Sequence, residues 1–232
     1  MIRRRPTVLI VVLAVLAIII GGGVVRASQG RDAPAESSGA TGIPGAPVVA
    51  FYGDSYTLGT GASDPSMRWS SIISADRGWN EVNPSVNGLG FVNNRDRLPD
   101  GGDLVDAVIA STPDILFVTM GLNDNFSMPE RSDDVHRAIV ADFAKLRGSL
   151  PETRIIVVEP FWYTDERPQS LATISEWVAA EAQSIGAESI GGASHWIEGH
   201  PEWMADDGLH PNDEGYAEIA RRMSEELDRR GL

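Results

Sequence analysis

The sequence predicts an α/β fold: a mostly five-stranded parallel sheet covered by helices on both faces. Three observations carry this. From residue 47 onward, short apolar runs alternate with helically spaced stretches, the pattern of a parallel sheet with crossover helices. The runs at 48–52, 114–120 and 154–159 are apolar nearly throughout, as strands buried on both sides must be. Residues able to carry chemistry come directly after these runs, where ligands bind in open α/β sheets.

Each element follows from its local pattern. Residues 48–52 form the first strand, ending at Gly53. Residues 69–77 have helical spacing, 81–86 make a weaker second strand, and 103–110 make a short helix stopped by Ser111-Thr112-Pro113. The third strand, 114–120, ends at Gly121. An amphipathic helix over 132–146 takes Ser132 as its N-cap. The fourth strand, 154–159, is β-branched and stops at Pro160. A helix over 171–185 ends at Gly186, and 187–190 is a last short strand. The closing helix covers 213–229, capped by Asn212 or Asp213.

Ahead of this domain, residues 1–27 carry Arg3, Arg4 and Arg5 followed by a long apolar run. This is the pattern of an export signal cleaved before Ser28, or of an uncleaved membrane anchor over 8–25. Both expectations place the domain outside the cytoplasmic membrane, either secreted or held at its outer face. Residues 28–46 are rich in Gly, Ala, Ser and Pro and are expected to form a flexible linker. The folded domain is therefore expected over 47–232.

The chain has no cysteine, which excludes disulfides, thiolate metal sites and a cysteine nucleophile. Its formal net charge is -14, and the first 27 residues hold four arginines and no acid. The remainder is more negative still and repels nucleic-acid phosphates.

Four segments follow the strands or precede the last helix: Gly53-Asp54-Ser55, Asn87-Gly88-Leu89-Gly90, Gly121-Leu122-Asn123-Asp124, and Asp207-Gly208-Leu209-His210-Pro211-Asn212. A serine hydroxyl needs a base within hydrogen-bond reach, and the base needs an orienting acceptor. Asp207 and His210 are three apart, so a turn lets the carboxylate meet one imidazole nitrogen and leaves the other for Ser55. Asp206 is the rival acid. The oxyanion formed by attack on an ester needs donors already in place. The Ser55 amide, the Gly88 amide and the Asn123 side chain are the candidates.

These ordered blocks resemble those of the SGNH (GDSL-like) hydrolases, and the resemblance spans nearly all of 47–232. It implies a flavodoxin-like three-layer α/β/α sandwich with no metal or cofactor. Ser55 would then be nucleophile, Asp207 and His210 its partners, and Ser55, Gly88 and Asn123 the oxyanion hole. Gly90 is the alternative to Gly88. The implied activity is hydrolysis of a small-molecule, lipid or glycan ester; acyl transfer to a hydroxyl group is the alternative, and a non-catalytic binding module a third reading. Ser55 lies in Gly-Asp-Ser-Tyr and not in Gly-x-Ser-x-Gly, which disfavours the α/β-hydrolase family.

Other residues have more ordinary readings. Asp54 and Asp124 are expected to brace loops, and His136 to be a solvated helix residue. His195 and His200 share a loop with Trp196 and Trp203 and read as loop packing or site rim. Tyr56, Phe91 and Phe126 follow the proposed catalytic positions, and Phe161-Trp162-Tyr163 follows strand four. Of these, Tyr56, Phe91, Trp162 and Tyr163 are expected to line the substrate pocket.

Overall fold

The computed structural model describes residues 42–98 and 102–232. The expected leader and most of the linker lie outside the described residues. Five parallel strands form one sheet: β1 (Val48–Tyr52), β2 (Asn80–Val82), β3 (Ile115–Val118), β4 (Arg154–Val158) and β5 (Glu188–Ile190), in the order β2-β1-β3-β4-β5. Every pairing is parallel, with Val49 opposite Ile115 and Ile115 opposite Arg154. The helices are α1 (Ser55–Leu58), α2 (Trp69–Arg77), α3 (Leu104–Ala110), α4 (Ser132–Ser149), α5 (Gln169–Ser184) and α6 (Asp213–Asp228).

Alternation along each strand splits the core into two layers. Val49, Phe51, Phe117 and Ile156 face α2 and α6, packing with Trp69, Ile73, Tyr216 and Met223. Ala50, Tyr52, Leu116 and Val157 face α3, α4 and α5, packing with Val105, Ile139, Phe143 and Val178. Phe51 stacks on Phe117 at 5.1 Å, and Trp69 meets both rings edge-on. This is the three-layer α/β/α sandwich expected from the sequence.

Two local readings are corrected. The second strand ends at Val82, short of Val86, because Pro84 offers no N–H to a ladder; Gly88 thus belongs to a turn and not to a strand end. Ser132 is the first residue of α4 and Arg131 its N-cap position, with no side-chain cap bond. On the N-terminal side, the Asn80 side chain ties down Ile43 and Ala46 through three hydrogen bonds. Among the described residues, no helix is long and apolar enough to cross a membrane.

Sheet order sets the site. β1 has β2 on one side and β3 on the other, so the loops leaving β1 and β3 part company there. A crevice at such a switch point is where this class of sheet binds ligands.

Candidate active site

Ser55 is the first residue of α1, three residues beyond the end of β1. Asp54 caps that helix, its carboxylate accepting from the Tyr56 N–H at 3.0 Å, and Gly59 closes it in the left-handed region at φ 91°. Gly53 is required by contact. A Cβ there would lie 2.4 Å from Thr119 Oγ1 and 2.5 Å from Thr57 Cβ, two side chains joined across the turn by a 2.6 Å hydrogen bond. The glycine lets the serine turn sit directly on the end of β3. Among the described residues, the Ser55 hydroxyl has no protein hydrogen-bond partner.

His210 sits in a hairpin-like loop ahead of α6. Ala205 N–H donates to the His210 carbonyl at 2.8 Å, Asn212 N–H to the Trp203 carbonyl at 2.9 Å, and Met204 bridges Pro211. At its tip one Asp207 oxygen accepts from the N–H groups of Leu209 and His210, both at 2.9 Å. The other oxygen lies 2.7 Å from His210 Nδ1. These bonds, the one to the His210 ring first, pull the Asp207 carboxyl down to about 2. Asp207 is 48% exposed and His210 only 13%. Asn212 caps α6 through Gly215 N–H and holds the loop's far strand through the Glu202 and Met204 carbonyls. Asp206 makes no such bond to the histidine.

Tyr56 joins the two turns. Its hydroxyl donates to the Leu209 carbonyl at 2.8 Å, and its ring lies 6.0 Å from the His210 ring while stacking on Phe161 at 5.6 Å. Gly61 packs so closely that a Cβ would meet the Pro211 carbonyl at 2.4 Å. The loop after the serine and the loop carrying the histidine are thus in direct contact.

The two glycines after β2 have different surroundings. Gly90 N–H donates to the Asn93 carbonyl at 2.9 Å, and a Cβ there would meet the Asp124 carboxylate at 2.6 Å. Its amide is occupied and its bareness serves packing. Gly88, at φ 69°, has its carbonyl held by the side chains of Asn93 and Asn94, each at 2.9 Å. Among the described residues its N–H donates to no protein acceptor. Asn123 opens a 3₁₀ turn after β3; its amide donates to the Leu89 carbonyl at 3.0 Å and, at a longer 3.3 Å, to Asp54.

Asp54 and Asp124 both brace. Asp124 accepts from the N–H groups of Phe91, Val92 and Asn93 at 2.7, 2.8 and 3.2 Å, fixing the loop that carries Gly88. Burial raises both carboxyls. Asp54 reaches about 7, with the Asp124 charge adding and the Tyr56 N–H opposing.

Three of the expected pocket residues are placed elsewhere. Phe91 is fully buried between Tyr52 and Phe143. Tyr56 is fully buried with its hydroxyl committed to Leu209. Trp162 is buried, and its Nε1 donates to Thr164 Oγ1 and the Glu166 carbonyl. Apolar rings beside the crevice go into the core because burial outweighs proximity. Tyr163 remains half-buried and lines a cleft of about 370 Å³ with Asp165, His200, Met204, Asp206 and Gly208. Phe126 is 60% exposed beside the Asn123 turn. His136 is exposed as expected, stacked on Trp177 at 4.8 Å.

One brace escaped the sequence reading. Arg95 donates to the Phe91 carbonyl at 3.0 Å, to Asp142 at 2.6 and 2.8 Å and to Asp103 at 2.9 and 3.0 Å; Asp142 also accepts from the buried Tyr52 hydroxyl at 2.6 Å. The signal was present: Asp142 stands among Ile139, Phe143 and Leu146 on the buried face of α4, where an unpaired acid would be costly.

A parallel α/β/α sandwich with a serine turn after β1, and an aspartate–histidine pair in contact with it, defines the class of serine esterases on this fold. The chain belongs to the GDSL-like lipase/acylhydrolase family, whose model matches residues 51–218. It is 27% identical to the GDSL lipase Rv0518 of Mycobacterium tuberculosis over 187 residues, 76% of this chain and 79% of that protein. Its fold is similar to that of the psychrotrophic esterase EstA from Pseudoalteromonas sp., with a TM-score of 0.60 and 15% identity, covering 79% of this chain and 97% of that one. It is also similar to Axe2, an acetylxylan esterase from Geobacillus stearothermophilus, with a TM-score of 0.57 and 17% identity, covering 78% and 93%. The protein is an SGNH-type serine esterase.

Proposed function

We propose that this esterase cleaves carboxylic esters through an acyl-enzyme, with Ser55 as nucleophile, His210 as base and Asp207 as its orienting acceptor. The observation that carries the reading is the Asp207–His210 hydrogen bond at 2.7 Å, in a loop that Tyr56 ties to the serine turn. Asp207 on Nδ1 fixes the tautomer and leaves Nε2 to take the Ser55 proton. The Ser55 oxygen attacks the acyl carbon, and the carbonyl oxygen becomes an oxyanion. The N–H groups of Ser55 and Gly88 and the Asn123 amide receive it, Asn123 turning its longer hydrogen bond from Asp54 to the oxyanion. His210 then returns the proton to the departing alcohol oxygen. Water, deprotonated by His210, attacks the acyl-enzyme, releasing the carboxylic acid and restoring Ser55.

The free Gly88 N–H and the occupied Gly90 N–H support Gly88 as the donor. The positive, then apolar, pattern of residues 1–27 supports export and action outside the cytoplasmic membrane. The mechanism is tested by Ser55→Ala with a short-chain aryl acetate: activity is expected to fall by about 10⁴-fold or more. Full turnover by that variant would refute the mechanism.

A further inference from the structure

We propose that a polar cluster behind the nucleophile's helix, Glu81 with Arg68, Ser70 and Asn83, is a positioning device for Ser55 in ester cleavage. The inference rests on the reading of Ser55 as nucleophile above. α1 has four residues, too few for a helix to hold its own shape in water. Its internal bonds are Leu58 N–H to the Asp54 carbonyl at 2.9 Å and Gly59 N–H to the Ser55 carbonyl at 3.0 Å. The last carbonyls of any helix lack internal partners. Those of Thr57 and Leu58 lie two and three residues past Ser55, and Thr57 is fully buried. A donor from outside the helix must take them, and its placement sets how the turn carrying Ser55 is rotated.

The cluster takes both carbonyls. Asn83 Nδ2 donates to the Thr57 carbonyl at 2.7 Å, and Arg68 Nη1 to the Leu58 carbonyl at 3.2 Å. Each donor is itself held. Asn83, just beyond β2, gives its second proton to Ser70 Oγ at 2.9 Å, and its oxygen accepts from Ser85 N–H at 3.2 Å. These bonds fix which end of the amide faces Thr57. Ser70 is fully buried and can accept from Asn83 because its own proton goes to Glu81 Oε1 at 2.8 Å. Glu81, on β2, is the hub. Its Oε1 also lies 3.1 Å from Arg68 Nη2. Its Oε2 accepts from Ser71 at 2.6 Å, and the Ser71 hydroxyl accepts from Arg68 Nε at 2.9 Å. The Arg68 stem lies against Gly59, where a Cβ would meet Arg68 Cβ at 2.5 Å. A glycine at the end of α1 thus lets the guanidinium reach the last carbonyl. The Arg68 and Glu81 side chains are each only 17% exposed. Apolar side chains could join α2 to β2 without the cost of desolvating a charge pair. They could not supply two directed donors to the serine helix.

The test combines steady-state kinetics on a short-chain aryl acetate with the rate at which an aryl phosphonate labels Ser55. In labelling, the serine oxygen bonds to phosphorus, the bond to the aryl oxygen breaks, and His210 passes the serine proton to that oxygen. Asn83→Ala and Glu81→Ala are each expected to lower kcat and the labelling rate by about 10- to 100-fold, with KM within about twofold of wild type. Glu81→Gln keeps an acceptor oxygen for Ser70 and Arg68 and is expected to hold both rates within about threefold of wild type. Melting temperatures well above the assay temperature show that the variants are folded. Should an alanine variant fail to fold, Arg68→Met takes its place, keeping the stem on Gly59 and removing the guanidinium. Its labelling is expected to slow by about fivefold or more. A folded variant with a lower melting temperature but unaltered kcat and labelling rate overturns the proposal. So does a loss confined to KM, or a Glu81→Gln variant as slow as Glu81→Ala. Retained turnover by Ser55→Ala removes the nucleophile reading and this inference with it. Lost turnover there, with full rates in the cluster variants, removes this inference alone.

Discussion

Asp124→Asn probes how the loop carrying Gly88 is held. The carboxylate accepts three N–H groups, Val92 and Asn93 on one oxygen and Phe91 on the other. An asparagine oxygen can keep the pair, which leaves its NH₂ group against the Phe91 N–H. A buried donor left unpaired costs about 1–3 kcal/mol. In a domain of this size each kcal/mol lowers the melting temperature by about 2–4 °C, so a drop of about 3–10 °C is expected. On the proposed mechanism the loop also aims the Gly88 N–H, a donor used only once the oxyanion forms. Its loosening should lower kcat by about 10- to 100-fold and leave KM nearly unchanged. Thermal unfolding and steady-state kinetics on an aryl acetate measure both effects. A melting temperature within about 1 °C of wild type, together with an intact kcat, would show that Asp124 does not hold the loop.

Three further outcomes follow from the same geometry. Asp207→Asn keeps the loop, because its oxygen can still accept from Leu209 and His210 N–H, but it turns an NH₂ group toward His210 Nδ1. The wrong tautomer should cost about 10³- to 10⁴-fold in kcat, and near-normal rates would remove Asp207 from the mechanism. Tyr56→Phe deletes the 2.8 Å bond to the Leu209 carbonyl while keeping the stack on Phe161. A stability loss of about 1 kcal/mol by urea titration, with reduced kcat, is expected; unchanged kcat would argue that the tie does not position His210. Asp54 titrates at about 7 when folded, against 3.8 ordinarily. The folded state therefore holds a proton that the unfolded chain has lost. This contribution is full below about pH 4 and is lost as pH rises through 7. Asp54→Asn should flatten the melting-temperature profile over that window, and an identical slope would contradict it.

The sheet was legible because parallel strands buried on both faces leave unbroken apolar runs, as in 48–52 and 114–120. The Asp207–His210 contact was legible because three residues in a turn allow little else. What escaped depended on distant partners. Arg95 bonds to Asp103 and Asp142, and only the fold brings the latter within reach. The proposed preference for Gly88 over Gly90 rests on one N–H, which Gly90 donates to the Asn93 carbonyl. Phe91 and Tyr56 looked like pocket walls because position along the chain says where a ring begins, not which way its Cβ points.

The sheet's two edge strands, β2 and β5, are three residues each. The Ile190 carbonyl turns inward to Glu159 N–H, so the preceding Ser189 carbonyl faces outward. Arg230, from the turn after α6, takes it at 2.8 Å. A stray strand seeking to extend this sheet meets a short ladder with a guanidinium already in place. Such blunted borders keep partly folded molecules from templating one another.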